Sequence, residues 1–162
     1  VEQAVSSLAG DYNGDGKVKA VLHSYARGLG EEGGEDGLAY QYGMEIALLG
    51  DIQDCDSFLF LLEDPSDFQK RFQVLSWPDG SVPAGTDLSP EGKAARWRDI
   101  PALSGQDLGF YEEQVLGKVS LGDCQEYLGD LYVARRCFPS DKTVKYLSGC
   151  EELFQRLWEG VE

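Results

Sequence analysis

Apolar and polar positions along residues 18–75 predict the order strand, helix, strand, helix. Residues 18–25 (VKAVLHSY) are rich in branched and aromatic side chains, which favours a strand. Leu38 to Asp54 carries apolar residues at helical spacing, and residues 58–62 (FLFLL) form a continuous apolar run typical of a strand covered on both faces. This order favours an α/β layer in which 18–25 and 58–62 are neighbouring parallel strands. We expect the helix to bury one face, formed by Leu38, Tyr42, Ile46, Leu49 and Ile52.

Two further helices carry start signals. Asp64 can cap a helix, Pro65 fits its first turn, and Asp67 favours the positive helix end. Ser148, with Glu151 three residues later, has the spacing of a capping box and predicts the start of the last helix. The apolar residues expected to face the core are Phe68, Phe72 and Leu75 in the first of these helices, and Leu153, Phe154, Leu157 and Trp158 in the second.

The remaining segments complete one domain that spans residues 1–162. Residues 1–10 have the spacing of a helix end, 94–98 and 131–138 are predicted strands, and 110–129 fits either a helix or a hairpin. Four of the six prolines lie in 76–109, which predicts a long irregular excursion. The predicted fold class is therefore α/β, with a three-layer-like sheet of parallel core strands and helices on both faces.

Composition narrows the classes of partner. The chain has 162 residues and a net charge of −15, which opposes binding to nucleic acid or to an anionic membrane surface. No apolar run approaches the ~20 residues that cross a bilayer. The sequence begins at Val1 and its only methionine is Met44, so we expect that an N-terminal segment was removed.

The four cysteines leave their pairing open. Cys55, Cys124, Cys137 and Cys150 allow three disulfide connectivities, and their spacings lack the close pairs of a zinc site. Cys124 and Cys137 could cross-link a hairpin. The alternative is that all four are small buried apolar residues.

The stretch DYNGDGKV places oxygen-bearing residues at alternate positions, as calcium loops do. Asp11, Asn13 and Asp15 would supply side-chain oxygens and Lys17 its carbonyl oxygen to a candidate calcium ion. The pattern resembles the first half of an EF-hand or dockerin loop. The alternative is a polar turn in the residues 11–16, with the carboxylates bonded to nearby backbone amides.

The calcium loop lacks its closing ligand. The position where an EF-hand carries a bidentate acid is Leu22, and the ninth position is Lys19. The acidic, glycine-rich loop predicted at 28–37 could complete the site by folding back. Its candidate ligands are Glu31, Glu32, Glu35 and Asp36.

His23 is the only histidine, so any Ser–His or Cys–His mechanism has to use it, with Cys55 as the candidate thiol. The order of the two residues resembles caspase-like and clostripain-like peptidases. The detail departs from them, because Cys55 precedes its strand and Ser24 replaces the glycine that usually follows the histidine.

Candidate ligand-binding residues lie at the end of the second strand and in the excursion. Glu63 and Asp64 follow the apolar run, at the carboxyl edge where open α/β sheets bind ligands. Trp77 and Trp97, with Tyr111 and Tyr132 elsewhere, could form a platform for a sugar or a peptide. The alternatives are that Asp64 only caps a helix and that the aromatic rings are core residues.

The stretches DYNGDGKVKAVLHSY, GDIQDCDSFLFLLEDPSDFQ and RWRDIPAL resemble a group of uncharacterised extracytoplasmic lipoproteins from Gram-positive gut bacteria. The resemblance covers most of residues 11–138. It implies a domain outside the cytoplasm, tethered to the cell surface by a lipid on a removed N-terminal segment. The strand–helix alternation is also similar to one lobe of a solute-binding protein.

These observations favour a non-catalytic extracytoplasmic domain that binds a small molecule, a glycan or a protein, with calcium at 11–16 as a structural accessory. The first alternative is a hydrolase that uses His23 with Cys55. The second is an acidic immunity or mimic protein that blocks a basic partner.

Overall fold

A computed structural model describes residues 1–25, 35–115, 118–138 and 140–161, and shows a mixed α/β chain. Its helices are α1 (Glu2–Leu8), α2 (Glu35–Asp54), α3 (Pro65–Phe72), α4 (Pro101–Ser104), α5 (Cys124–Gly129) and α6 (Leu147–Trp158), with a 3₁₀ helix at Trp97–Asp99. Its strands are β1 (Leu59–Leu62), β2 (Ala94–Arg96), β3 (Phe110–Val115), β4 (Lys118–Asp123) and β5 (Tyr132–Arg135).

The central sheet is antiparallel, in the order β1-β5-β2. β5 lies in the middle, with Leu62 of β1 and Arg96 of β2 both opposite Tyr132. β1 and β2 therefore point the same way but are separated by β5. The expectation of adjacent parallel core strands was wrong. The apolar run at 58–62 indicates that the strand is buried on both faces. Burial on both faces does not determine whether the neighbouring strand is parallel or antiparallel.

Residues 18–25 form no strand, so the prediction of a strand there was also wrong. The Ala20 N–H donates to Ser6 Oγ over 2.9 Å, and the Leu22 N–H donates to Glu2 Oε1 over 2.8 Å. Side chains of α1 and its margin thus satisfy backbone groups that a neighbouring strand would otherwise have to pair.

Helices pack on both faces of the sheet. On one face, Phe60 and Ala134 join a cluster with residues of α2 and α3. On the other face, Val133 joins a larger cluster with residues of α1, α4, α5 and α6. Side chains alternate across the strands, so Tyr132 and Ala94 belong to the face that carries α3.

The start of α3 confirms the cap prediction, because Asp64 Oδ1 accepts a hydrogen bond from the Asp67 N–H over 2.9 Å. The start of α6 does not confirm the capping box at Ser148. This helix begins at Leu147 with Tyr146 as its N-cap, and the Cys150 N–H donates to the Tyr146 carbonyl. Glu151 pairs instead with buried Arg135, at 3.2 Å.

α2 exists where predicted, but its predicted buried face points mainly to solvent. Tyr42 is 67% exposed and Ile46 is 68% exposed. Leu48 and Ile52 make the contacts with the cluster on the α3 side of the sheet. The buried stripe is thus narrower than predicted, and it is rotated around the helix.

Residues 110–129, predicted as either a helix or a hairpin, contain one of each. The antiparallel hairpin β3–β4 comes first, and α5 follows directly at Cys124. All four cysteines are free, so no bond joins Cys124 to Cys137. Cys137 is buried, and the other three are partly buried.

A candidate acidic binding groove

A groove of about 330 Å³ opens on the α3 face of the central sheet, beside the start of α3. Its walls come from the β1–α3 junction and from the turn before β2. Its lining residues are Glu63, Asp64, Pro65, Ser66, Pro90, Glu91, Ala94 and Tyr132.

The first wall is the junction between β1 and α3. Glu63 and Asp64 are exposed, and Pro65 and Ser66 form the first helical turn. The cap bond engages one oxygen of Asp64, Oδ1, with the Asp67 N–H. The cap therefore fixes the position of this wall because it ties the carboxylate to the helix backbone.

The second wall is held in place by a buried lysine. The Lys93 side chain is 0% exposed, and its Nζ donates to the Ser89 carbonyl over 2.6 Å. The same Nζ lies 2.9 Å from Asp87 Oδ2 and 4.6 Å from the centre of the Trp77 ring. A buried ammonium needs such partners, and these partners fix the turn that presents Pro90 and Glu91.

This turn requires a glycine at position 92. Gly92 has φ +72°, and a Cβ there would lie 2.8 Å from Cζ3 of Trp77. The turn therefore closes tightly over the Trp77 ring. Any larger residue at position 92 would force the ring or the turn to move.

The floor is the strand surface around Tyr132 and Ala94. The Tyr132 hydroxyl accepts a hydrogen bond from Arg96 Nε over 3.0 Å, and the guanidinium lies 5.4 Å from the ring centre. The hydrogen bond to Tyr132 raises the pKa of Arg96 above its usual value. Arg96 Nη1 also lies 4.0 Å from Asp130, outside the groove lining.

The groove combines negative charge with apolar surface. Three of its eight lining residues carry carboxylates, and no lining residue carries a cation. Behind the second wall, the hydrogen bond from Lys93 lowers the pKa of Asp87, so Asp87 is ionised at neutral pH. Such a site can attract a cation, while its two prolines and Tyr132 accommodate an apolar stem.

Of the four predicted ligand-binding residues, Glu63 and Asp64 line the groove and the tryptophans do not. Trp97 is 1% exposed, and its Nε1 donates to Gln125 Oε1 over 2.8 Å, so its ring belongs to the core. Trp77 supports the second wall from behind through Lys93. The two tryptophans therefore do not share a surface at this groove, because Trp97 packs in the core and Lys93 lies over the Trp77 ring. A ligand-binding role for Trp77 stays a prediction.

Sequence reasoning missed Pro90 and Glu91. The signal was present, since Ser89–Pro90–Glu91–Gly92 has the composition of a tight turn. What the sequence did not show was that this turn faces Glu63 across Tyr132.

The 11–17 segment adopts the geometry expected of a polar turn. Asp11 accepts hydrogen bonds from the N–H groups of Gly14 (2.9 Å) and Gly16 (2.8 Å). Asn13 Oδ1 accepts from the Asp15 N–H, and Asp15 Oδ1 accepts from the Lys17 N–H. Calcium at these residues stays a prediction.

The proposed completion of the calcium site cannot be placed. Glu31 and Glu32 lie outside the described residues, as do the side chains of Glu35 and Asp36. Within the described ranges, no group of three His, Cys, Asp or Glu residues is arranged to hold a metal ion.

His23 and Cys55 have different partners. His23 Nδ1 lies 2.8 Å from Asp51 Oδ2, which also accepts a hydrogen bond from the Tyr25 hydroxyl. Cys55 Sγ donates to the Lys142 carbonyl over 3.7 Å. The histidine thus fastens residues 23–25 to α2, and the proposed thiol is engaged elsewhere.

None of the helices in the described ranges combines the length and the apolar character that crossing a membrane requires. Comparison of the chain with protein-family models, with curated proteins and with solved structures gives no match. Function therefore has to be argued from the chemistry of the groove itself.

Proposed function

We propose that this protein is a non-catalytic binding domain whose acidic groove holds a cationic group, such as the ammonium of a lysine side chain. The observation that carries the proposal is the lining of the groove, with Glu63, Asp64 and Glu91 around the Tyr132 ring. A volume of about 330 Å³ falls at the lower end of ligand sites. It suits one long side chain better than a large cofactor.

Charge and shape favour the same type of ligand. A net charge of −15 attracts cations over a long range and repels phosphates. Glu63 and Glu91 rise from separate walls, which would let a single ammonium meet two carboxylates. The prolines and the tyrosine would pack against the methylene groups behind the charge.

The location of the domain is part of the proposal. The resemblance of residues 11–138 to extracytoplasmic lipoproteins supports a position at the outer cell surface, with a lipid anchor on a preceding segment. A surface protein, a small cationic molecule or a basic partner of an immunity-type protein could each supply the ammonium group.

The test is a titration of the full chain with a tetralysine peptide, followed by NMR. We expect chemical-shift changes centred on Ser66, Glu91 and Tyr132, and weaker binding as salt rises. The double substitution Glu63→Gln with Glu91→Gln should weaken binding by about tenfold, because it removes two charged partners.

The matched control is Glu159→Gln, which removes a carboxylate at the end of α6, on the opposite side of the sheet. Tetraglutamate serves as the control peptide. The proposal fails if tetralysine causes no shifts at the groove. It also fails if Glu159→Gln weakens binding as much as the groove substitutions do.

A further inference from the structure

The outer face of α2 is an apolar surface with a regular shape. Tyr42, Ile46 and Leu49 recur at helical spacing and are 67%, 68% and 40% exposed. Small residues lie beside this ridge on the same side of the helix, at Ala39, Gly43 and Gly50. In the described structure, nothing lies within 4 Å of a Cβ built at Gly43 or Gly50, so the space beside the ridge is open.

The charged side chains of residues 39–54 already have partners within the chain. Glu45 pairs with Arg71, Asp51 with His23, and Asp54 with Lys142 at 2.8 Å. The outer face is therefore left mainly apolar, with its carboxylates engaged by other side chains at the edges of the face.

We propose that this face docks a second copy of the chain, as an antiparallel pair of α2 helices about a two-fold axis at Ile46. In that register the ridge of each copy meets the small residues of the other. Tyr42 falls opposite Gly50, Leu49 opposite Gly43, and Ile46 opposite its own copy. A two-fold interface must be self-complementary in this way.

The exposed apolar area of the ridge limits how tightly two copies can associate. From their exposed fractions, the three ridge side chains expose on the order of 300 Å² per copy. Two copies thus bury roughly 600 Å² of ridge, plus the surface of the small residues, which is below the ~1,200 Å² of stable interfaces. The dimer is therefore expected to be weak. Salt tightens it, because salt screens the repulsion between two chains of charge −15.

The experiment is sedimentation equilibrium of the full chain from about 5 µM to about 1 mM, in about 0.1 M and about 1 M NaCl. We expect a monomer–dimer equilibrium that shifts towards dimer at high salt. Tyr42→Glu should raise the dissociation constant at least about tenfold. Tyr40→Glu is the matched control, since Tyr40 is 61% exposed but lies about 160° from Tyr42 around the helix.

A charge swap tests the register. Tyr42→Lys alone should weaken the dimer, and adding Gly50→Glu should restore it at least about threefold, because each new lysine faces a new glutamate. The inference is overturned if the protein is monomeric at every concentration and salt, or if Tyr40→Glu weakens the dimer equally. It is also overturned if the double variant is no tighter than Tyr42→Lys. Salt should weaken ligand binding in the groove and strengthen the dimer. The two proposals can therefore fail independently of each other.

Discussion

Residues 76–109 contain only short elements, namely β2, the 3₁₀ helix and α4, yet they hold Lys93, Trp97, Ile100 and Leu103 fully buried. α2 is a regular helix of 20 residues, and no side chain described in its stretch 39–54 is fully buried. The segment 76–109 is therefore better anchored than the long helix α2. Burial and partnered polar groups attach a segment to the fold, whereas regular hydrogen bonding only shapes it.

The difference also separates two kinds of surface. The excursion presents a fixed wall, because its turn is pinned by the ammonium of Lys93. α2 presents an apolar ridge that is open to a partner. A rigid wall suits a small charged ligand, and an open ridge suits another helix.

Trp97→Ala should give the largest effect, and it tests whether residues 76–109 are anchored in the core. The ring is 1% exposed and its Nε1 bonds to Gln125, so truncation leaves a cavity and an unpaired amide oxygen. We expect the free energy of unfolding to fall by about 3–5 kcal/mol, measured by urea denaturation. Phe110→Ala, at a 70% exposed ring, is the control. Equal losses in the two variants would contradict the assignment of Trp97 to the core.

Lys93→Met should give the next largest effect. The substitution keeps much of the side-chain volume but removes the bonds to Ser89 and Asp87. We expect a loss of about 2–4 kcal/mol in the free energy of unfolding. Lys145→Met, at an exposed lysine, should change it by less than about 0.5 kcal/mol. A neutral result at Lys93 would show that the ammonium does not hold the excursion in place.

Asp87→Asn tests the same anchor through pH. The hydrogen bond from Lys93 depresses the pKa of Asp87 in the folded protein. A depressed carboxyl pKa contributes stability above the unfolded value of about 3.9, and this contribution is lost as the pH falls through the folded value. We expect the variant to be less stable than the parent at pH 7, with the gap closing below about pH 4.

The measurement is the urea midpoint of both proteins across the acid range. Asp56→Asn, at an exposed aspartate, is the control for the change in net charge. A gap between the Asp87→Asn variant and the parent that stayed constant with pH would rule out this ionic contribution.

The smallest effect is expected on α2. Tyr42→Ala with Ile46→Ala should change the free energy of unfolding of the monomer by no more than about 0.5 kcal/mol, because both side chains are largely exposed. The measurement is made at low micromolar concentration, where we expect the chain to be monomeric. A loss comparable with that of Trp97→Ala would mean that this ridge is packed within the fold.

Some local signals predicted their elements correctly. Asp64 and Pro65 mark the start of α3 because a cap and a first-turn proline act within a few residues of chain. The apolar run at 58–62 marks β1 because both faces of that strand are covered by helices. Such features depend on neighbours in sequence or on burial alone, so the sequence contains them directly.

Long-range pairing was not predictable in the same way. β1 pairs with β5, some 70 residues later, and no local pattern states the direction of that pair. Residues 18–25 have strand composition, but they find their hydrogen-bond partners in Glu2 and Ser6. Strand propensity records side-chain preference and does not supply a partner strand.

The groove contains residues that the sequence predicted and residues that it did not. Glu63 and Asp64 were predicted from their place after an apolar strand, and they line it. The prediction assumed the carboxyl edge of a parallel sheet, whereas the groove lies on one face of an antiparallel sheet, between the β1–α3 junction and the turn before β2. Glu91 could not be placed from sequence, since its position depends on the buried contacts of Lys93.

α2 is attached mainly through its C-terminal half. Arg136 Nη2 donates to the Ile52 carbonyl and Lys142 Nζ to the Gln53 carbonyl, whereas residues 39–43 are all exposed. Amide hydrogen exchange should therefore run as a gradient along this one helix, slow near Ile52 and fast near Tyr40. The helix would fray from its N-terminal end and stop where the two basic side chains hold its last carbonyls.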